Sequence, residues 1–214
     1  MFNIKNTNLT FIHPPKCGGT SIAEELKSKN LIDQFANGAH ATLKDIGDVG
    51  KEYLIIVRNP YNRFFSYYHF MIEWARKRIN GELPLKGKTK EFFQKSIDKL
   101  LEIKFEGWVN TLKDMKFPFW LEEHSIPMDA FRCQTNWYLN YTNKPVHIHK
   151  IEEGTIWPFL RERTGIKGLQ NRHEKKSTFR TVNGYTDEQA ELVYQYFKQD
   201  FEILGYDKGD YKRA

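Results

Sequence analysis

The stretch Phe11-Ile-His-Pro-Pro-Lys-Cys-Gly-Gly-Thr-Ser-Ile22 decides the fold of this chain, because apolar residues lead through two prolines and two glycines into a helical pattern. This order predicts a strand over residues 9–13, a tight loop, and a helix over residues 19–29. Glycines let backbone N–H groups turn toward a ligand, and a helix N-terminus carries a partial positive charge. Lys16 adds a full positive charge. We therefore expect the loop to bind an anion such as a phosphate or a phosphosulfate.

Strand and helix patterns alternate along the remaining chain. Residues 53–57 form a continuous apolar run, typical of a strand buried on both faces of a parallel sheet, and Asn59-Pro60 is typical of a helix start. Thr186-Asp-Glu-Gln189 is a capping box at the start of a helix that Gly205 ends. A strand is also predicted over residues 146–151, a loop over 79–90, and helices over 91–101, 129–140 and 152–163. The alternation predicts an α/β sheet in which ligands bind beyond the carboxyl ends of the strands.

Length and composition bound the class of protein. The chain has 214 residues, 40% of them hydrophobic, which suits one domain with a substantial core. We expect no membrane span, because no apolar run reaches about 18 residues. The first residues lack the apolar stretch of a secretory signal, and the two cysteines, Cys17 and Cys133, are interpreted as free thiols. These features predict a protein of a reducing compartment, the cytoplasm.

The charge of the chain leaves several kinds of partner open. The formal net charge of +6 is compatible with nucleic acid, anionic lipid or an anionic small ligand. Basic residues cluster over residues 76–90, a pattern typical of a solvated helix end and loop, and over residues 172–180, where hydroxyl side chains are interspersed as in a phosphate clamp. A non-enzymatic domain that binds RNA or another polyanion is the weaker alternative, because the basic residues follow strand ends rather than an aromatic face. We expect no nucleic-acid partner.

A second anion-binding element follows the buried strand over residues 53–57. Arg58 ends this strand, and Ser66 shares one helical stripe with positions 59, 62 and 63. A planar guanidinium group suits a phosphate, so Arg58 and Ser66 are predicted to converge on a second anionic group at the sheet edge that also carries Lys16. Taken alone, a structural ion pair for Arg58 and a merely tolerated Ser66 explain these residues equally well.

The stretch over residues 11–22 and the stretch over residues 55–68, in this order, resemble the sulfotransferase family. The resemblance implies a P-loop-like three-layer α/β fold with a central, mostly parallel sheet flanked by helices. It implies 3′-phosphoadenosine 5′-phosphosulfate (PAPS) as donor and adenosine 3′,5′-bisphosphate (PAP) as product, with no metal required. The residues implied in donor binding are Lys16, Cys17, Gly18, Gly19, Thr20 and Ser21 for the 5′-phosphosulfate, and Arg58 and Ser66 for the 3′-phosphate.

Two further stretches are similar to the branch that sulfates carbohydrate hydroxyls, including the heparan sulfate 2-O-sulfotransferases. Gly38-Ala-His40 lies where that branch carries a catalytic histidine. The branch has a second histidine at the position of Gly38, so a paired-histidine mechanism is not expected here. A late basic loop of the branch is similar to residues 175–180, which implies donor contacts for Lys176, Ser177 and Arg180.

The resemblance therefore implies a single sulfotransferase domain over residues 1–214, with acceptor specificity in an insertion around residues 79–130. The acceptor is a hydroxyl group, expected on a saccharide, that attacks in line while charge builds on the leaving nucleotide. Such catalysis is mostly positioning and electrostatics. Lys16 would stabilise the leaving phosphate, and His40 would take the proton of the acceptor, since histidine is the usual base near neutral pH. Without the resemblance, His40 has the pattern of a surface-loop histidine.

A P-loop kinase or nucleotide hydrolase is the main alternative. The Walker A motif places its lysine after the glycines and uses a hydroxyl group to bind magnesium. Here Lys16 precedes Gly18 and Gly19, and the apolar strand ends in Arg58 rather than in aspartate. A donor reaction without magnesium fits these residues better, and activity that survives EDTA would separate the two hypotheses.

Other chemically capable residues receive structural interpretations. His13 ends a strand and is expected to pack or bond locally. Cys17 is interpreted as a small residue that fits the turn, although a thiol near a helix N-terminus can also be reactive. Glu152 and Glu153 are interpreted as the negatively charged start of a helix rather than as an acid–base pair. His147 and His149 alternate on a strand without partners at metal-ligand spacing.

Overall fold

The computed structural model describes residues 1–35, 40–113, 128–170 and 184–212. The chain forms two compact units. The first comprises Met1–Asn59 and Cys133–Thr178, and the second comprises Pro60–Arg132 and Phe179–Ala214. All strands of the described residues belong to the first unit. No helix in the described ranges is long and apolar enough to cross a membrane.

A five-stranded sheet organises the first unit. Its strands are β1 (Phe2–Ile4), β2 (Leu9–Ile12), β3 (Ile32–Phe35), β4 (Glu52–Val57) and β5 (Val146–Lys150), in the spatial order β3-β1-β2-β4-β5. The pairs β2–β4 and β4–β5 are parallel, whereas β1 is antiparallel to both β2 and β3. Four of these five strands therefore run in one direction, which confirms the predicted α/β class and mostly parallel sheet.

The helices of both units follow the chain. They are α1 (Gly19–Ser28), α2 (Leu43–Ile46), α3 (Pro60–Ile79), α4 (Lys90–Asn110), α5 (Ile156–Thr164), α6 (Asp187–Tyr196) and α7 (Lys198–Leu204). Short 3₁₀ turns occur at Met128–Phe131, Gln134–Trp137, Ile151–Glu153 and Lys208–Lys212. The first unit contains α1, α2 and α5, and the second contains α3, α4, α6 and α7.

The central strands are buried on both faces, as the apolar run over residues 53–57 predicts. Alternate residues of β4, such as Leu54 and Ile56, join a core that α1 and α5 complete with Leu26 and Leu160. The intervening residues of β4 are equally inaccessible, since Tyr53, Ile55 and Val57 are 0% exposed. This burial is typical of a central parallel strand in a layered α/β fold.

The helix α1 positions the first candidate binding loop. Ile22 and Leu26 are four residues apart, so both face the sheet core. Gly18 is the N-cap residue in the left-handed conformation, with φ of 81°. The helix therefore begins directly at the loop that β2 enters, close to the predicted bounds of 19–29.

The second unit is built around aromatic contacts between helices. Pro60 opens α3 as predicted, and Phe64 on this helix stacks on Trp108 of α4 at 5.3 Å between ring centroids. The Thr186 hydroxyl and the Gln189 side chain form the predicted capping box of α6. The predicted single helix after Thr186 is interrupted at Phe197, which separates α6 from α7.

Several elements differ from the sequence predictions. The strands β1 and β3 were not predicted, because runs of three and four residues are too short for a periodic pattern. Residues 129–140 were predicted as a helix, but two 3₁₀ turns with Cys133 between them occupy most of this range. The helix predicted to start at Glu152 is instead a 3₁₀ turn followed by α5.

Candidate functional site

The loop between β2 and α1, here called the glycine loop (residues 13–19), lies at the carboxyl end of β2. Lys16 and Gly18 both have positive φ, 67° and 81°. Among the described residues, no side chain caps the N-terminus of α1. The first N–H groups of a helix have no partner within the helix, so these groups and the helix dipole favour an anion at this end.

Both glycines of the loop lie against side chains, and any other residue at Gly18 would also strain its left-handed backbone. A Cβ atom on Gly18 would lie 2.2 Å from Cδ1 of Ile151, and one on Gly19 would lie 2.0 Å from Cδ2 of His13. Real Cβ atoms do not approach neighbours this closely. Besides allowing a ligand to approach the backbone, the two glycines therefore leave room for the side chains of Ile151 and His13.

The polar side chains of the loop have different exposures. Thr20 is exposed and Ser21 is half-buried, and their hydroxyl groups have no hydrogen-bond partner in the described part of the chain. Cys17 is 0% exposed, and its thiol donates to Oε1 of Gln134 at 2.9 Å. A donor contact of Cys17 would therefore use its backbone N–H group. Cys17 and Cys133 are free thiols, as predicted.

Arg58 lies at the carboxyl end of β4, directly beside the glycine loop, because β2 and β4 are parallel neighbours. Its Nη1 atom donates to the carbonyl oxygen of Lys16 at 3.3 Å. The next residue, Asn59, donates its backbone N–H to Oε1 of Glu152 at 2.8 Å. The structure thus brings Arg58 and Lys16 together at one sheet edge, as predicted, and gives Glu152 a role in fixing the strand end.

The other predicted donor residues belong to the second unit or lie outside the described residues. Ser66 lies in the second turn of α3, in the second unit, and is partly buried. Lys176, Ser177 and Arg180 lie outside the described residues, as does Gly38. Their donor contacts stay predictions.

His40 is held by the backbone of the glycine loop. Its Nδ1 atom lies 3.0 Å from the carbonyl oxygen of His13, and the two imidazole rings meet edge to face with centroids 4.7 Å apart. A carbonyl oxygen only accepts hydrogen bonds, so Nδ1 carries the hydrogen and Nε2 carries the lone pair in this arrangement. The ring is exposed, and no side chain of the described residues bonds Nε2. This arrangement suits a general base that acts through Nε2.

His13 is a buried, neutral neighbour of this base. Burial, together with smaller contributions from the nearby His40 and the N-terminal ammonium group, lowers the pKa of His13 from 6.5 to about 3. The local packing role predicted for His13 is therefore observed. Because His13 stays uncharged near neutral pH, it adds no positive charge beside His40.

Unfolding experiments should detect this buried histidine. The unfolded chain takes up a proton on His13 near pH 6.5 and the folded chain does not, so the free energy of unfolding falls as the pH drops below that value, by at most about 1.4 kcal/mol per pH unit. Urea unfolding from about pH 5 to 7.5 measures the slope. The variant His13→Gln should show a smaller slope, whereas His69 and His149, whose pKa values burial also lowers, contribute equally to both proteins. An unchanged slope in the variant would rule out His13 as the source.

Three residues of the site were not foreseen as such. Gln134 binds Cys17 and Arg58, Trp137 binds the backbone oxygen of His40, and Glu152 binds Asn59. Residues 129–140 were predicted only as a helix, and no local pattern distinguishes Gln134 from a surface polar residue. Its partners lie 76 and 117 positions away in the chain.

An α/β sheet with a glycine loop, a helix N-terminus without a side-chain cap and an arginine at one edge is typical of the class of proteins that bind phosphate groups. Within this class, a model of the sulfotransferase family matches residues 2–207. The chain therefore belongs to the sulfotransferase family and is a sulfotransferase enzyme, which confirms the family-level resemblance. No curated protein and no solved structure matches the chain. Membership implies a nucleotide donor and a hydroxyl acceptor.

Proposed function

We propose that this sulfotransferase moves a sulfuryl group from PAPS to a hydroxyl group of a saccharide, with His40 as the general base. One observation carries the proposal: exposed His40 is hydrogen-bonded through Nδ1 to the glycine loop itself, at the carbonyl oxygen of His13. Because the same loop would hold both the donor and the base, the base would keep a fixed position relative to the sulfuryl group. Such positioning is a large part of catalysis in group transfer.

The residues of the sheet edge fit the donor. The bare N-terminus of α1 and the hydroxyl groups of Thr20 and Ser21 suit the phosphosulfate oxygens, and Lys16 supplies a compensating charge. Arg58 offers a planar guanidinium group for the 3′-phosphate. Ser66, together with Lys176, Ser177 and Arg180, is proposed to complete donor binding.

The donor supplies a sulfuryl group that is bonded to its 5′-phosphate through a bridging oxygen. Nε2 of His40 accepts the hydroxyl proton as the acceptor oxygen forms its bond to sulfur and the bond from sulfur to the bridging oxygen breaks. Lys16 and the N–H groups of the first turn of α1 offset the charge that remains on the departing phosphate. His40 ends the step protonated and returns the proton to water.

The saccharide acceptor rests on the similarity of the Gly38-Ala-His40 segment to the carbohydrate branch of the family. Gly38 replaces a second histidine of that branch, so we propose a single base. Acceptor specificity is proposed to come from residues around 79–130, of which 114–127 lie outside the described ranges. We further propose a cytoplasmic location.

Donor binding tests the sheet edge. Lys16→Ala and Arg58→Ala should each weaken PAP binding about 10- to 100-fold, because each removes a charged partner of a phosphate group. Isothermal titration calorimetry with PAP and AMP separates the two roles. Arg58→Ala should affect PAP far more than AMP, which lacks the 3′-phosphate, whereas Lys16→Ala should weaken both. Lys29→Ala, an exposed lysine beyond the end of α1, is the matched control.

Turnover tests the reaction. Labelled PAPS is offered with a panel of glycans, phenols and simple alcohols, in the presence and absence of EDTA. We expect label transfer to a glycan that survives EDTA. Transfer to a phenol or alcohol in preference to glycans would overturn the saccharide acceptor, and unchanged PAP affinity in both charge variants would overturn the assigned donor site.

A further inference from the structure

We propose that Gln134 and Trp137, the two ends of one 3₁₀ turn, are positioning residues that align the donor site with the base. This inference rests on the proposed function, because it assigns a role relative to PAPS and His40. Both side chains are 0% exposed. The turn spans only Gln134–Trp137, yet it contacts the glycine loop, the end of β4 and the backbone of His40.

Gln134 joins the two halves of the donor site. Its Oε1 atom accepts from the backbone N–H of Arg58 at 2.7 Å and from the thiol of Cys17 at 2.9 Å, and its Nε2 atom donates to the carbonyl oxygen of Arg58 at 2.8 Å. The amide thus pairs with both polar backbone groups of Arg58, much as a neighbouring strand would. These contacts fix the backbone of Arg58, from which its guanidinium group projects, relative to the loop residue Cys17.

Trp137 fixes the base from the opposite end of the turn. Its Nε1–H group donates to the backbone oxygen of His40 at 3.1 Å, while the imidazole Nδ1 is bonded to His13. His40 is therefore anchored once through its backbone and once through its ring. Since the turn is short and its two anchor side chains are buried, a shift at one end displaces the other.

Burial makes these contacts difficult to replace. A buried backbone N–H group that loses its partner is costly, and water does not readily substitute at a site without exposure. Removal of the Gln134 amide should let the end of β4 relax, so that the guanidinium group of Arg58 no longer meets the 3′-phosphate in its productive geometry. The expected loss concerns recognition of the 3′-phosphate in particular.

The first experiment uses Gln134→Met, which keeps side-chain length and removes the amide, and Gln134→Asn, which keeps the amide but shortens the chain. Calorimetry should show PAP binding about 10-fold weaker or more in both variants, with a smaller loss for AMP. A lower ratio of PAP to AMP affinity is the specific signature, because general destabilisation would affect both ligands alike. Asn136→Ala, an exposed position in the same turn, is the matched control.

The second experiment uses Trp137→Phe, which removes the indole N–H group and keeps an aromatic ring. With the panel glycan that is turned over fastest, kcat should fall about 10-fold while the KM for PAPS stays nearly constant. The pattern should be reversed for Gln134→Asn, for which the KM for PAPS rises. Unfolding curves of all variants show whether each is folded at the assay temperature.

The outcomes separate this inference from the proposed function. If Arg58→Ala weakens PAP binding but both Gln134 variants keep the ratio of PAP to AMP affinity, the positioning role is wrong and the donor site stands. If Trp137→Phe keeps its kcat while His40→Ala loses activity, the anchoring of the base is wrong. If Arg58→Ala itself leaves PAP binding unchanged, the proposed donor site is wrong, and with it the role assigned to Gln134.

Discussion

Replacement of His40 by alanine is expected to lower kcat about 10²- to 10⁴-fold, while PAP affinity stays close to that of the unmodified protein. The imidazole ring is exposed and its Nδ1–H group is engaged by the carbonyl oxygen of His13. The lone pair on Nε2 is thus the part of the ring available to the acceptor hydroxyl. Loss of a base affects the chemical step rather than nucleotide binding.

A second variant separates the base from its anchor. In His40→Asn, the side-chain amide can still donate to the carbonyl oxygen of His13, but no basic nitrogen remains. We expect His40→Asn to be nearly as inactive as His40→Ala, and added imidazole to restore part of the activity of the alanine variant, because the site is exposed. Full turnover in His40→Ala would remove His40 from the mechanism, and an active His40→Asn would reduce its role to that of a hydrogen-bond donor.

The second large effect is expected at Gly19. A methyl group at this position would lie 2.0 Å from Cδ2 and 2.4 Å from Nε2 of His13. That ring is confined by Phe11, at 6.0 Å between centroids, and by His40, at 4.7 Å. We therefore expect Gly19→Ala to lower the free energy of unfolding by about 1–3 kcal/mol and to weaken PAP binding, since either the loop or the base must move.

The chain offers a matched control and an internal check for this variant. Gly168 belongs to the same unit, and a Cβ atom there would meet nothing within 4 Å, so Gly168→Ala should be nearly neutral. The cost of Gly19→Ala should also be smaller in a His13→Ala background, because the clashing ring is then absent. Urea unfolding of the unmodified protein, Gly19→Ala, His13→Ala and the double variant measures the coupling free energy. Equal costs for Gly19→Ala in both backgrounds would contradict the predicted clash.

The elements foreseen from the sequence are those that local patterns determine. The glycine loop, β4, the start of α3 at Pro60 and the capping box at Thr186 each depend on residues within a few positions of one another. The parallel arrangement of β2 and β4 then places Lys16 and Arg58 at one edge, so part of the candidate site could also be predicted.

The remaining features depend on contacts between distant residues. The strands β1 and β3 depend on pairing rather than on their own three or four residues, because β1 pairs with both β2 and β3. The polar side chain of Gln134 can be buried because Cys17 and Arg58 form hydrogen bonds with it in the folded chain. The fixed ring orientation of His40 likewise follows from the position of the His13 carbonyl group, which no spacing in the sequence reveals.

The inaccessible thiol of Cys17 can be used to detect opening of the glycine loop. A thiol that is 0% exposed and bonded to Gln134 does not react with an alkylating reagent until the glycine loop opens. The rate at which Cys17 becomes alkylated, followed by peptide mass spectrometry, therefore measures how often the loop opens locally. A ligand bound in the loop should lower this alkylation rate, so donor binding can be measured without an acceptor, a radiolabel or an engineered probe.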